Sequence, residues 1–258
     1  MNILVIARAT FNEALRKKIL NVFLLVALAL IVFSVSFAYF SARQEMTIIK
    51  SLGLGIIALA GMFISVVMGI NLIPAEIEKR TIYTILAKPV RRHEFLLGKF
   101  LGGTLTMFVN LLLMTLVFMV TVAFKNNWNP DWALLKGSLM IFFQLFLLGS
   151  VAIFFSIFLT PAVNFFMTSA VYIIGSLSEV TLSMMREQDQ HPIAKAFFWL
   201  IHYLVPNFAN FFTQNPLIHP GVVIKNEAVY YAENILYALV YASILMIIAI
   251  LAFDRREV

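Results

Sequence analysis

Residues 137–178 read GSLMIFFQLFLLGSVAIFFSIFLTPAVNFFMTSAVYIIGSLS, a run of 42 residues without an Asp, Glu, Lys, Arg or His. About 20 apolar residues take a helix across the hydrocarbon core of a bilayer, so this run is long enough for two crossings. Thr160-Pro161, with Asn164 just beyond, marks the turn between them. Proline lacks a backbone donor and disfavours helix in the residue before it. Outward from this run, four further windows carry no charge: 19–42, 51–75, 100–124 and 234–253. With the central run divided into 137–159 and 162–182, the sequence predicts an all-α, polytopic membrane protein. Its six transmembrane helices form a single transmembrane domain over 1–258.

Composition agrees. Of 258 residues, 62% are hydrophobic and 12% charged, with 25 Phe and a mean hydropathy of +0.93. Soluble domains carry roughly 25% charged residues, and a soluble fold of this size could not hide so much apolar surface. The net charge of +6 does not point to nucleic acid; in a membrane protein, basic excess gathers on the cytoplasmic side. There is no cysteine, so disulfides and thiolate metal sites are excluded. The start does not read as a cleaved signal peptide, because its apolar run exceeds an h-region of about 7–15 residues.

Lys and Arg set the orientation. With both termini cytoplasmic, the inner parts hold Arg8, Arg16, Lys17, Lys18, Lys79, Arg80, Lys88, Arg91, Arg92, Lys99, Arg255 and Arg256. The longer outer parts hold only Arg43, Lys50, Lys125, Lys136, Arg186, Lys195 and Lys225, as the positive-inside rule requires. The expected location is the cell (inner, cytoplasmic) membrane. Residues 1–18 place Leu4, Ala7, Phe11, Ala14 and Leu15 near helical spacing, with Arg8, Asn12 and Arg16 opposite. This predicts an amphipathic helix in the inner interface. The 183–233 loop, between the fifth and sixth spans, contains AKAFFWLIHYLVPNFANFF at 194–212. Its Trp199, His202 and Tyr203 favour the interface, so an interfacial helix is expected there. It either covers the mouth of the bundle or is a passive cap.

One loop departs from the plain pattern. Between the second and third spans the chain reads AEIEKRTIYTILAKPVRRHEFLLGKFLG at 75–102, charged residues interleaved with apolar ones. It reads as a structured cytoplasmic element that touches another protein. It resembles the cytoplasmic loop of ATP-binding-cassette (ABC) type 2 permeases, the export-type membrane subunits of ABC transporters. The family pattern falls on Glu76, Glu78, Thr81, Pro89, Val90, Arg92, Phe95, Gly98 and Lys99. Arg80 stands where some relatives carry Gly, so no backbone role of that Gly is carried over. The resemblance also takes in the interfacial first helix, the span count and the long outer loop.

The resemblance implies a coupling helix, within the 76–95 loop, seated in a cleft of a separate ATPase. The implied docking set is Glu76, Glu78, Arg80, Thr81, Ile82, Ile85, Leu86, Pro89, Arg91 and Arg92. Ile82, Ile85 and Leu86 form a short apolar stripe. Glu76 and Glu78 suit the positive end of the helix dipole, Pro89 ends the helix, and Arg91 and Arg92 can pair with partner acids. Basic residues alone would equally describe an anchor to anionic lipid headgroups. The implied partners are two copies of an ABC ATPase, which would hold ATP and Mg, a second permease copy or a homologue, and the lipid bilayer.

Catalytic readings find little. No Gly-x-x-x-x-Gly-Lys-Ser/Thr phosphate loop occurs, so the chain is not expected to be an enzyme by itself or to hold a cofactor. His93, His191, His202 and His219 are scattered and form no metal-ligand spacing. The windows contain no ionisable residue of the kind that marks proton or ion paths. Their strongest polar groups are Asn71, Asn110, Gln144 and Asn164, which read either as pathway-lining or as interhelical hydrogen bonds. The expected function is the transmembrane permease subunit of an ABC exporter. The alternative is a non-transporting membrane scaffold, or an assembly or maturation factor, that docks a cytoplasmic protein.

Overall fold

The computed structural model describes residues 2–38, 45–72, 91–178, 182–183, 192–212 and 226–255. They form helices α1 (Asn2–Leu15), α2 (Lys18–Ala38), α3 (Glu45–Asn71), α4 (Arg92–Lys125), α5 (Ala133–Phe158), α6 (Pro161–Ser176), α7 (Pro192–Leu204), α8 (Ala209–Phe212) and α9 (Glu227–Asp254). No strand occurs among the described residues. Five of the helices, α2, α3, α4, α5 and α9, are long and apolar enough to cross a membrane. The sixth, α6, has 16 residues and reaches about 24 Å at 1.5 Å per residue, short of a hydrocarbon core of about 30 Å.

Several helices run past the charge-free windows. α3 starts at Glu45, α4 at Arg92, α5 at Ala133 and α9 at Glu227. Absence of charge marks where the hydrocarbon begins, whereas backbone hydrogen bonding continues into the headgroup region. Pro161 opens α6 as its first residue, with Thr160 extended before it; proline is at home there because the donor it lacks would be unpaired anyway. Asn127 and Trp128 take left-handed conformations after α4, and the Trp128 N–H donates to the Ala123 carbonyl at 2.7 Å.

α3 is the centre. Some 78% of its apolar window is buried, against 22% for α2 and for α9. It packs against α2, α4, α5 and α6, and its glycines face large or close neighbours: Gly53 the Phe118 ring, Gly61 Leu145 and Gly69 Ala152. Small residues let helix backbones approach, which matters in lipid because no hydrophobic drive holds helices together there. The Ser65 hydroxyl adds a hydrogen bond to the Leu145 carbonyl at 3.0 Å. On the periphery α2 exposes Leu25, Val26, Val32 and Phe33, and α9 exposes Leu236, Val240, Ile244 and Leu251. Those faces suit acyl chains.

α1 differs from the simple two-sided helix that its sequence suggests. Ala7, Thr10 and Ala14 are buried, while Leu4, Val5 and Leu15 are exposed. The buried face packs on the first turns of α4. A Cβ on Gly98 would stand 2.7 Å from the Ile6 Cβ, and one on Gly102 would stand 2.5 Å from the Ala7 carbonyl oxygen. The small-residue spacing at the start of α4 is thus filled by this chain's own first helix.

The chain after α7 turns inward. Trp199, Leu200, Tyr203 and Leu204 of α7 are exposed, but Phe208, Ala209 and Phe211 are buried. The Phe208 N–H donates to the Gly175 carbonyl at 3.1 Å, and Gly175 leaves room for the Pro206 carbonyl and the Phe208 ring. Gln144 Nε2 donates to the Phe208 carbonyl at 3.3 Å, and the Asn207 N–H donates to the Tyr237 hydroxyl oxygen at 3.0 Å. Tyr230 and Tyr241 donate to the Asn210 and Leu204 carbonyls. Residues 204–211 are therefore a plug between α5, α6 and α9.

Candidate functional site

The 76–95 loop enters the bundle through the first turns of α4. Glu76, Glu78, Arg80, Thr81, Ile82, Ile85, Leu86 and Pro89 lie outside the described residues; Arg91 and Arg92 lie within them. α4 starts there for a local reason. The Arg91 N–H donates to Glu94 Oε2 at 3.1 Å, which satisfies a donor the helix start would otherwise leave unpaired, and the carboxylate sits at the positive end of the dipole.

Arg91 is exposed, but Arg92 turns inward. Its Nη1 donates to the Phe253 carbonyl at 3.0 Å and to the Asp254 carbonyl at 3.5 Å. These carbonyls lie in the last turn of α9 and carry the negative end of its dipole; the Phe253 carbonyl also accepts from the Arg255 N–H. The Arg92 Cζ lies 5.9 Å from the Phe253 ring centre. The Phe253 ring stacks in turn on Phe95, with centroids 6.3 Å apart and planes 20° apart. Both rings are fully buried. Lys99 Nζ lies 5.7 Å from the Phe95 ring centre and 3.7 Å from Glu13 Oε2 of α1. Glu13 also meets Lys17, at 3.6 Å, where α1 gives way to α2. The sequence groups Arg91 with Arg92; the structure aims them apart.

Sequence reasoning missed Phe253, Glu13 and Lys17 as members of this cluster. Arg92, Phe95 and Lys99 could have been grouped, since they fall at i, i+3 and i+7 on one helix face. Nothing in the sequence tells which remote helix that face meets.

Three of the four polar candidates of the spans, Asn110, Gln144 and Asn164, make structural bonds. Asn110 Nδ2 donates within its own helix to the Thr106 carbonyl at 2.8 Å. Asn164 Nδ2 donates to the Ala152 carbonyl of α5 at 3.0 Å and its Oδ1 accepts from Thr168 at 2.8 Å. Gln144 holds the plug through Nε2 and leaves Oε1 buried without a partner. Asn71 is the last residue of α3, and its side chain falls outside the described residues. Between α3, α4 and α5 a cavity of about 20 Å³, lined by Ser65, Gly69, Thr104 and Gly149 among others, has room for about one water. Among the described residues no group of three His, Asp or Glu gathers to hold a metal.

The opposite end of the bundle is tied by ion pairs: Lys50–Asp131 at 2.5 Å, Lys125–Glu45 at 2.9 Å and Lys136–Glu227 at 3.0 Å. The Asp131 carboxyl is held below the usual carboxylate range, chiefly by its hydrogen bond with Lys50, against the opposing effect of burial. At the α1 end, Arg8, Arg16, Lys18, Arg91 and Arg255 are exposed.

Helices of this length and composition define a multi-pass membrane protein. The chain matches the family model described as ABC-2 family transporter protein over residues 4–258, and it belongs to that family: it is a membrane transporter permease. Permeases of this family are in general non-catalytic and typically work with an ATPase subunit. The comparison with curated proteins returned no match.

Proposed function

We propose that this chain is the transmembrane permease subunit of an ABC exporter, driven by a separate ATPase that docks on the 76–95 loop. The observation that carries this reading is the family match over 4–258, joined to a charged loop that enters α4 directly at its foot. Glu76, Glu78, Arg80, Thr81, Ile82, Ile85, Leu86, Pro89 and Arg91 form the docking set, while Arg92 faces α9. Two ATPase copies, holding ATP and Mg, act on two permease bundles. We take α6 as the fifth of six crossings, with both termini in the cytoplasm of the cell membrane. Support for that orientation comes from the charge balance: the α1 end exposes five basic residues, whereas Lys50, Lys125 and Lys136 are paired with acids.

The test is a mild-detergent pull-down of tagged protein, with mass spectrometry of the partners and ATPase activity measured on the eluate. A stoichiometric ATPase that is lost on Leu86→Asp, with membrane insertion intact, is the expected result. A protein that elutes with no nucleotide-hydrolysing partner overturns the reading in favour of the scaffold or maturation factor.

A further inference from the structure

α9 and α2 are the least embedded of the five long helices, each with 22% of its apolar window buried. Yet the last turn of α9 is fastened. Phe253 is fully buried, stacked on Phe95, and its carbonyl accepts from Arg92, whose guanidinium also lies over its ring. Arg92 and Phe95 belong to the first turns of α4, where the 76–95 loop ends. Lys99, on the same face one turn further along, reaches α1 through Glu13, and Gly98 and Gly102 bring the α1 backbone against α4. A guanidinium bound to carbonyls at a helix end gains from both the hydrogen bonds and the dipole, and stacked buried rings resist sliding. The feet of α1, α4 and α9 are thus joined by one unbroken row of contacts that starts at the loop.

We propose that Arg92 is a positioning residue that clasps α9 to the foot of α4. A pull on the loop then moves α1, α4 and the end of α9 as one body. The coupling role rests on the reading that an ATPase docks on that loop; the clasp itself does not. Without Arg92 the loop would still hold its partner through the 82–86 stripe, but α9 would no longer follow.

The sequence has no cysteine, so introduced pairs can be spin-labelled without background. Leu101 and Leu251 are exposed on α4 and α9 and outside the clasp. In the full-length Leu101→Cys/Leu251→Cys protein in lipid nanodiscs, double electron–electron resonance is expected to give one narrow distance distribution. Arg92→Ala and Arg92→Gln lose that narrowness, Arg92→Lys recovers part of it, and Arg255→Ala leaves it unchanged. In the permease–ATPase complex, trapping with ADP and vanadate leaves the Leu101–Leu251 distance unchanged in the parent and changes it in Arg92→Ala, with ATPase stoichiometry retained in both. A distribution as narrow in Arg92→Ala as in the parent overturns the clasp. A parent distance that changes on trapping overturns the one-body movement. If no ATPase co-purifies, the docking reading and the coupling role fall together, and the width measured on the isolated protein decides the clasp by itself.

Discussion

Gly102 and Ala7 approach so closely that a Cβ on the glycine would stand 2.5 Å from the alanine carbonyl oxygen. Backbone cannot yield as a flexible side chain can, so Gly102→Val must push α1 away from α4. Overpacking of this kind costs about 1–3 kcal/mol. The next residue offers a control: a Cβ on Gly103 would meet Leu72 Cδ1 at 3.3 Å, a side-chain end that can shift. We expect Gly102→Val to lower the thermal midpoint in detergent and to open α1 to protease, while Gly103→Ala does neither. Equal midpoints for the two variants would show that α1 is not seated on α4 as described.

Asn164 and Asn110 are both buried, but only Asn164 bonds another helix, through the Ala152 carbonyl. Interhelical hydrogen bonds in membranes average about 0.6 kcal/mol and reach about 1.7. Asn164→Leu is therefore expected to lose about 1 kcal/mol of stability and Asn110→Leu a smaller amount. Unfolding in a mixed-detergent titration measures both. A larger loss at Asn110 would assign it a role that its bond to Thr106 does not explain.

Asp131 gives a pH test with a definite sign. Its carboxyl is held below the ordinary aspartate range, chiefly by its hydrogen bond with Lys50. A depressed acid stabilises the fold fully above its unfolded pKa and loses that contribution as pH falls through the folded value. The wild-type midpoint should therefore exceed that of Asp131→Asn at neutral pH, and the gap should begin to close as pH drops below about 3.9, the ordinary aspartate value, and vanish only below the lower folded value. Equal midpoints at neutral pH would mean the pair contributes nothing.

The plug rests on α9. Tyr237→Phe removes the acceptor of the half-buried Asn207 N–H, and the net worth of such a hydrogen bond is about 1 kcal/mol. Hydrogen exchange of the 204–211 amides should quicken in this variant, while exchange in the middle of α5 stays as it was. Unchanged exchange at 204–211 would mean the tyrosine is not what holds the segment.

Much of this architecture is legible in the chain. Charge-free length locates the five helices long and apolar enough to cross a membrane, and Pro161 opens a further helix within 137–178, because the bilayer excludes charge and proline starts a helix more readily than it continues one. The loop between the second and third spans is legible from the same contrast. Gly98 and Gly102 stand four residues apart in the sequence, a spacing that suits any close helix and does not name the neighbour. The plug was half legible: its aromatic composition places 194–212 near the membrane, but periodicity does not say that Phe208 and Phe211 turn into the bundle while Trp199 and Tyr203 face out.

The sequence by itself determined that this is a helical membrane protein with a charged stretch between two of its apolar segments, because those features depend on local composition and on the solvent around it. Only the tertiary structure decided that α1 occupies the glycine face of α4, that Asn164 and Gln144 serve as ties, and that Arg92 reaches Phe253 at 3.0 Å, 161 residues away along the chain. In a bilayer nearly every helix face is apolar, so hydropathy does not choose among neighbours. Shape and a few polar atoms do, and their pairing exists only once the helices are assembled.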